Sequence, residues 1–294
     1  MFRGSWVALI TPMMTNGEVD YHSLKRLLDF QIDNGTQGLV IMGTTGEAAT
    51  ISFDEQLNVM AFVCDYVNGR IPVVAGNGAN ATSEAVEKTK ALSALPIAGF
   101  LTVTPFYNKP TQKGMVAHFN AVAAATDKPV LLYNVPGRTG VDLLAETVAE
   151  LSKTENIVGI KEATGSMTRL SELKRLCPQS FMLLSGDDAT ACEFMLQGGH
   201  GIISVTTNVA PKLMTLLCEA ALGGNREQAE AADKPLRALH RDLFIESNPI
   251  PTKWALHRMG LITSDFMRLP LTQLEPIHAN VIEQALAKAG IVLQ

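Results

Sequence analysis

Short apolar runs alternate eight times with helical stretches along this chain, and that alternation restricts the fold more than any other feature. The strand-like runs cover residues 6–10, 38–42, 72–75, 100–104, 130–133, 157–160, 181–184 and 201–205, each bounded by turn residues. Between them apolar side chains recur at helical spacing, as in Leu24, Leu27, Leu28 and Ile32, or Leu57, Met60, Ala61 and Cys64. Strand starts follow one another at about 20 to 35 residues, the length of one βα unit. Such a pattern specifies a parallel sheet, and eight repeats favour its closure into an α/β (β/α)8 TIM barrel, which typically takes ~250 residues.

The barrel is predicted to occupy residues 1–222, because the Gly223-Gly224 pair is a natural stop for the last barrel helix. Residues 223–294 lack strand-like runs and read as a C-terminal helical extension, with helices over 226–244, 251–259 and 275–289. Asn248-Pro-Ile-Pro251 forms a stiff break between the first two.

Composition narrows the class of function. Lys plus Arg number 24 against 29 Asp plus Glu, a net charge of −5, with no basic block. Nucleic acid and anionic membrane are therefore poor partners. The four cysteines, Cys64, Cys177, Cys192 and Cys218, are scattered, as small apolar residues are in a reducing compartment. The six histidines show no metal-ligand spacing, so a structural or catalytic zinc is not expected, and no cofactor is assigned to the chain. The apolar stretch near the N-terminus is too short for a signal peptide, and no run of ~18 apolar residues occurs. A cytoplasmic protein is the expectation.

A barrel places its chemistry at the strand C-termini, and there the unusual residues gather. Strand two runs into Gly43-Thr-Thr-Gly-Glu47, strand four into Thr104-Pro-Phe-Tyr-Asn108, and strand five into Tyr133-Asn-Val-Pro-Gly-Arg138. Strand six delivers Lys161-Glu162, and strand seven Ser185-Gly-Asp-Asp188. Lys161 follows the buried-strand pattern Ile157-Val-Gly-Ile160, and an ammonium there must find a partner or lose its proton. A neutral amine is a nucleophile suited to Schiff-base formation on a carbonyl. The bland alternative is pairing with Glu162 or snorkelling past the strand end. Gly159, on the same side of the strand, is read as leaving room for the lysine stem.

Tyr133, Tyr107, Thr44 and Thr45 supply hydroxyls able to relay protons, although buried tyrosines often only pack and hydrogen-bond locally. Gly43-Thr-Thr-Gly-Glu47 is a candidate carboxylate cradle, or an ordinary βα turn with Glu47 in the first helical turn. Arg138 is either a bidentate carboxylate binder or a solvated arginine. Of Asp187 and Asp188, one is read as a helix N-cap.

Taken together these motifs, with Gly159-Ile-Lys-Glu-Ala-Thr-Gly165 and Asn248-Pro-Ile-Pro251, resemble the dihydrodipicolinate synthase family of pyruvate-dependent class I aldolases over essentially the whole chain. The resemblance implies that Lys161 condenses with pyruvate and that the enamine attacks aspartate semialdehyde, in the committed step of diaminopimelate and lysine synthesis. It makes Tyr133, Thr44 and Tyr107 a proton relay, with Tyr107 reaching in from a neighbouring subunit of a homotetramer built as a dimer of dimers. It gives Thr45 the pyruvate carboxylate, Arg138 the semialdehyde carboxylate, and Gly186 and Ile203 the shaping of the pocket. Lysine-sensitive members carry serine, two histidines and a tyrosine where this chain has Ala48, Phe53, Gln56 and Phe106, while Asn80 and Glu84 remain. A degenerate effector site, with weak or absent inhibition by lysine, follows. Asn77 stands where the family more often has threonine.

A sister aldolase acting on sugar acids would use the same lysine and tyrosine. Thr44 and the Pro-Gly-Arg138 turn favour a short carboxylated aldehyde instead. A retired, purely binding barrel would have lost Lys161 or Tyr133, and a phosphate-handling isomerase would show glycine-rich loops after strands seven and eight.

Overall fold

The computed structural model describes residues 2–293. Eight parallel strands close into a barrel in sequence order: β1 (Gly4–Ala8), β2 (Gly38–Ile41), β3 (Val73–Gly76), β4 (Gly99–Val103), β5 (Val130–Asn134), β6 (Ile157–Glu162), β7 (Met182–Ser185) and β8 (Gly201–Ser204). The period of two sorts their side chains. Trp6, Ala8, Val40, Val74, Leu101, Leu131, Tyr133, Leu184 and Ile203 pack together inside the barrel. Their alternate neighbours, Val7, Leu39, Ile41, Leu132, Ile160, Leu183 and Ile202, join the larger core beneath the helices. Trp6 and Phe2, with ring centroids 5.4 Å apart, fill one end of the barrel. Gly38 makes room there, since a Cβ would run into the Trp6 indole.

Helix starts are specified locally. Asp20 accepts from Ser23 N to cap Tyr21–Asp33, and Ser52 and Glu55 form a reciprocal capping box on Phe53–Val67. Helix Pro211–Leu222 is followed by Arg226–Asp233, Arg237–Asp242, Ile250–Arg258 and Pro276–Lys288. The single helix expected over 226–244 is thus two. Pro235 lacks the N–H that would continue the ladder, and its ring clashes with the preceding turn.

The sequence-based strand limits shift by one or two residues, and at β6 the shift matters. The strand continues through Lys161 to Glu162, paired with Tyr133 and Asn134 of β5 on one side and Leu184 and Ser185 of β7 on the other. Lys161 therefore lies within the strand rather than where it ends. The extension folds back onto the same end of the barrel. Arg268 donates to Glu55 Oε1 at 2.6 Å and to the carbonyls of Gly17 at 2.8 Å and Thr50 at 2.9 Å. Among the described residues no helix is long and apolar enough to cross a membrane.

Candidate active site

The C-terminal ends of the strands surround a cavity of about 640 Å³, lined by Thr44, Glu47, Tyr133, Arg138 and Asn248 among others. Lys161 is 5 % exposed, and its Nζ stands 4.4 Å from the centroid of the Tyr133 ring. Burial pulls the amine from the ordinary 10.5 to about 8. The Asp188 carboxylate opposes that shift and the Arg138 guanidinium adds to it. Glu162 is not its partner. Facing the other side of the strand, its carboxylate accepts from Asn134 Nδ2 at 3.0 Å and from Thr164 N at 2.8 Å.

Room for the lysine stem comes from a different glycine than the spacing suggested. A Cβ on Gly159 would meet Leu131 Cδ2 at 2.9 Å and Met182 Cβ at 2.7 Å, so that space is already filled. A Cβ on Gly186 would stand 2.9 Å from Lys161 Cε and 3.0 Å from its Cγ. Gly186, at the end of the neighbouring strand, is what the stem lies against. Pleat alone cannot reveal this, because the clearance belongs to β7 rather than β6.

Tyr133 is buried, and desolvation pushes its phenol up to about 12, against the opposing influence of Arg138 and of a side-chain hydrogen bond to Thr44. The hydroxyl therefore keeps its proton at neutral pH and can donate it. Thr45 is buried, and its Oγ1 accepts from Asn248 Nδ2 at 2.9 Å. Its own hydrogen remains available to an anion. Arg138, in the short helix Pro136–Thr139, donates Nη2 to the Asn248 carbonyl at 3.2 Å. Ile203 closes the inner wall of the barrel from β8.

Tyr107 is the exception. It is 89 % exposed, with φ at 73°, and lies outside the cavity of its own chain. The structure thus brings Lys161, Tyr133, Thr44 and Arg138 together and leaves Tyr107 on the surface.

The residues compared with lysine-sensitive proteins line the outer part of the same cavity: Ala48, Phe53, Gln56, Glu84 and Phe106. Gln56 Nε2 donates to the carbonyls of Ala48 and Ile51, both at 2.9 Å, so its donors turn away from the cavity. Glu84 pairs with Lys88 at 2.8 Å. The Asn80 carbonyl accepts from Asn108 Nδ2 at 2.9 Å. Asn77 is a structural tie: it accepts from Thr102 Oγ1 at 2.7 Å and donates to Thr89 Oγ1 at 2.8 Å.

Three features escaped the sequence reading. Asp187 is the cap, accepting from Thr190 N at 3.1 Å, whereas Asp188 is buried and accepts from Ser204 Oγ and from Val205 N at 3.0 Å. Nothing in the Asp-Asp pair separates the two roles. Glu47 is not in a first helical turn but immediately precedes the short 3-10 helix Ala48–Thr50. It has φ at 58° and pairs with Lys253 at 2.6 Å, with both side chains fully buried. Asn248, read as the start of a stiff break and of a family motif but given no role of its own, contacts Thr45.

Known proteins carry the same arrangement of fold and sequence. The chain matches the Dihydrodipicolinate synthetase family over residues 1–289. It is 56 % identical over 292 residues to the 4-hydroxy-tetrahydrodipicolinate synthase of Pseudoalteromonas atlantica, covering 99 % of this chain and 100 % of that one. The chloride-inhibited dihydrodipicolinate synthase of Acinetobacter baumannii, solved with pyruvate, superposes with a TM-score of 0.97 at 48 % identity, covering 99 % of this chain and 100 % of the other. The Aquifex aeolicus dihydrodipicolinate synthase does so with a TM-score of 0.97 at 43 % identity, each chain covered in full. A whole-chain match at this identity leaves one assignment: the protein belongs to the dihydrodipicolinate synthetase family.

Proposed function

We propose that the protein condenses pyruvate with L-aspartate 4-semialdehyde to give 4-hydroxy-tetrahydrodipicolinate, the committed intermediate of diaminopimelate and lysine synthesis. One observation carries the reading: a buried amine, Lys161 Nζ, depressed to about 8, beside a phenol that retains its proton.

Neutral Nζ attacks the C2 carbonyl of pyruvate, and the carbinolamine loses its hydroxyl as water once Tyr133 has supplied a proton. The resulting iminium loses a proton from C3 and becomes an enamine. That carbon then bonds to the aldehyde carbon of the semialdehyde, whose oxygen takes up a proton. The semialdehyde amine attacks C2, closes the ring and expels Lys161 as a free amine. One water leaves per cycle, and no redox partner is needed.

Thr45 Oγ donates to the pyruvate carboxylate while accepting from Asn248. Thr44 passes protons between Tyr133 and Tyr107 of a second copy, which accounts for the exposure of Tyr107 in the single chain. Arg138 binds the semialdehyde carboxylate, and Gly186 and Ile203 shape the pocket around the pyruvyl group. The working form is a cytoplasmic homotetramer, a dimer of dimers, in which residues 1–222 carry the reacting groups and 223–294 brace them.

Borohydride reduction in the presence of pyruvate, followed by peptide mapping, is the test. A pyruvyl-sized adduct on Lys161 is expected, and turnover should then require the semialdehyde. An adduct on another lysine, or none, overturns the proposal.

A further inference from the structure

The loop after β2 carries Thr44 and Thr45, yet its backbone is not at rest. Met42 and Glu47 have φ of 57° and 58°, in the left-handed region that non-glycine residues seldom occupy. Thr11 Oγ1 donates to the Gly46 carbonyl at 2.8 Å, which holds the turn from the barrel side. The other side is held by the extension. Lys253 Nζ, in helix Ile250–Arg258, donates to Glu47 Oε1 at 2.6 Å and to the Phe266 carbonyl at 2.7 Å. Glu47 Oε2 is buried without a partner among the described residues. Asn248, at the start of the same segment, holds Thr45 through its side chain and Arg138 through its carbonyl.

Stability is a weak reason for such a pair. Two desolvated charges with one carboxylate oxygen unsatisfied are often no better than well-packed apolar side chains of the same volume. What the pair offers is direction. It fixes where the carboxylate of a strained residue points, and so where the two preceding threonines point.

We infer that Lys253, Glu47 and Asn248 are positioning residues, through which the C-terminal extension orients Thr44 and Thr45 toward the substrate. The inference rests on the condensation reading above, in which those threonines relay protons and bind the pyruvate carboxylate.

The experiment compares the full-length protein with Lys253→Met, with the double variant Lys253→Met/Glu47→Met, and with Asn248→Ala. Lys253→Met alone strands a buried carboxylate and lowers the melting temperature. The double variant removes both charges and should regain most of that loss, while its kcat/KM for pyruvate stays about 10- to 100-fold down, the scale of a displaced catalytic group. Recovery of both stability and wild-type kinetics would make the pair merely structural and overturn the inference.

Asn248→Ala decides the matter even if the double variant folds poorly. It removes the Thr45 contact and keeps the backbone acceptor for Arg138. A raised KM for pyruvate with an unchanged melting temperature is expected, and an unchanged KM overturns the inference. Pyruvate trapping on the wild-type protein separates this from the parent reading. If the wild type does not trap, condensation itself fails. If it traps and Asn248→Ala is kinetically silent, only the positioning role fails.

Discussion

Two lysines are buried at the same end of this barrel. Lys161 is 5 % exposed and Lys253 is 0 % exposed, and burial pulls both amines below the ordinary lysine range. Their surroundings then diverge. Lys253 has a carboxylate at 2.6 Å and a carbonyl at 2.7 Å, two good acceptors for a retained charge. Lys161 enters none of the ion pairs among the described residues. The nearby carboxylate, Asp188, is engaged with Ser204 and Val205 instead, and the amine faces the Tyr133 ring. Burial alone does not make a lysine reactive. The difference lies in whether the neighbouring carboxylate pairs with the ammonium or is already committed to other donors.

The same substitution at the two positions should therefore have opposite consequences. Lys161→Met is expected to abolish turnover and pyruvate trapping, because it removes the amine assigned to the imine. It should also stabilise the fold below pH 8, by on the order of 3 kcal/mol. The amine loses its proton at about 8 in the folded chain and at the ordinary 10.5 when unfolded. Below pH 8 both states hold the proton and only the folded one bears the cost of burying it. Between pH 8 and 10.5 the folded state releases its proton first, and wild-type stability rises. Denaturant unfolding across that range should show the gap between variant and wild type narrowing. A gap constant with pH would remove the desolvation account of Lys161.

Lys253→Met should destabilise the protein by about 3–5 kcal/mol, the usual consequence of stranding one member of a buried pair. If this variant proves as stable as wild type, Glu47 must neutralise or hydrate at little cost, and the contrast between the two lysines loses its basis.

How much of that contrast could be read from sequence depends on how far apart the partners lie along the chain. The eight strands were legible because each carries its own local pattern, and so was the gathering of Thr44, Tyr133, Arg138 and Lys161 at one face, which follows from strand polarity alone. The register of β6 was not, since pairing with β5 and β7 is what extends the strand through Lys161. Gly186 could not be recognised as the clearance for the lysine stem without knowing which residue of β7 lies beside it. Glu47 and Lys253 are 206 residues apart, and neither stands out from the charged residues around it. Pro235 was visible, but the apolar spacing on either side of it disguised the break it imposes.

A smaller effect tests the second half of the contrast, the committed carboxylate. The charged and titratable groups that act on Lys161 are Asp188, Arg138 and the phenol whose ring it faces, Tyr133. Asp188 favours the ammonium, so replacing it with asparagine should depress the amine further. In wild type the rate of pyruvate trapping should fall as pH drops below about 8, where the nucleophile is protonated. In Asp188→Asn that acid limb should move to lower pH, while the asparagine amide still reaches Ser204 and Val205. A limb that stays in place would mean that Asp188 acts on the fold and not on the amine.

The smallest expected effect concerns free lysine as a third amine. Binding it at the outer cavity would need partners for an ammonium and a carboxylate, and few are uncommitted. Phe53 and Phe106 are apolar, both Gln56 amide hydrogens are taken by backbone carbonyls, and Glu84 is paired with Lys88. Three lost polar contacts at roughly 0.5–1.5 kcal/mol each amount to about 10- to 1000-fold in affinity. Half-maximal inhibition by L-lysine is therefore expected only above millimolar concentration, if it occurs at all. Inhibition below a millimolar would show that Glu84 exchanges Lys88 for the ligand, and a Lys88→Met variant would then respond at still lower lysine. The rule drawn from Lys161 and Lys253 would extend to this third amine: a carboxylate already paired in the folded chain is a poor acceptor for another cation until its partner is removed.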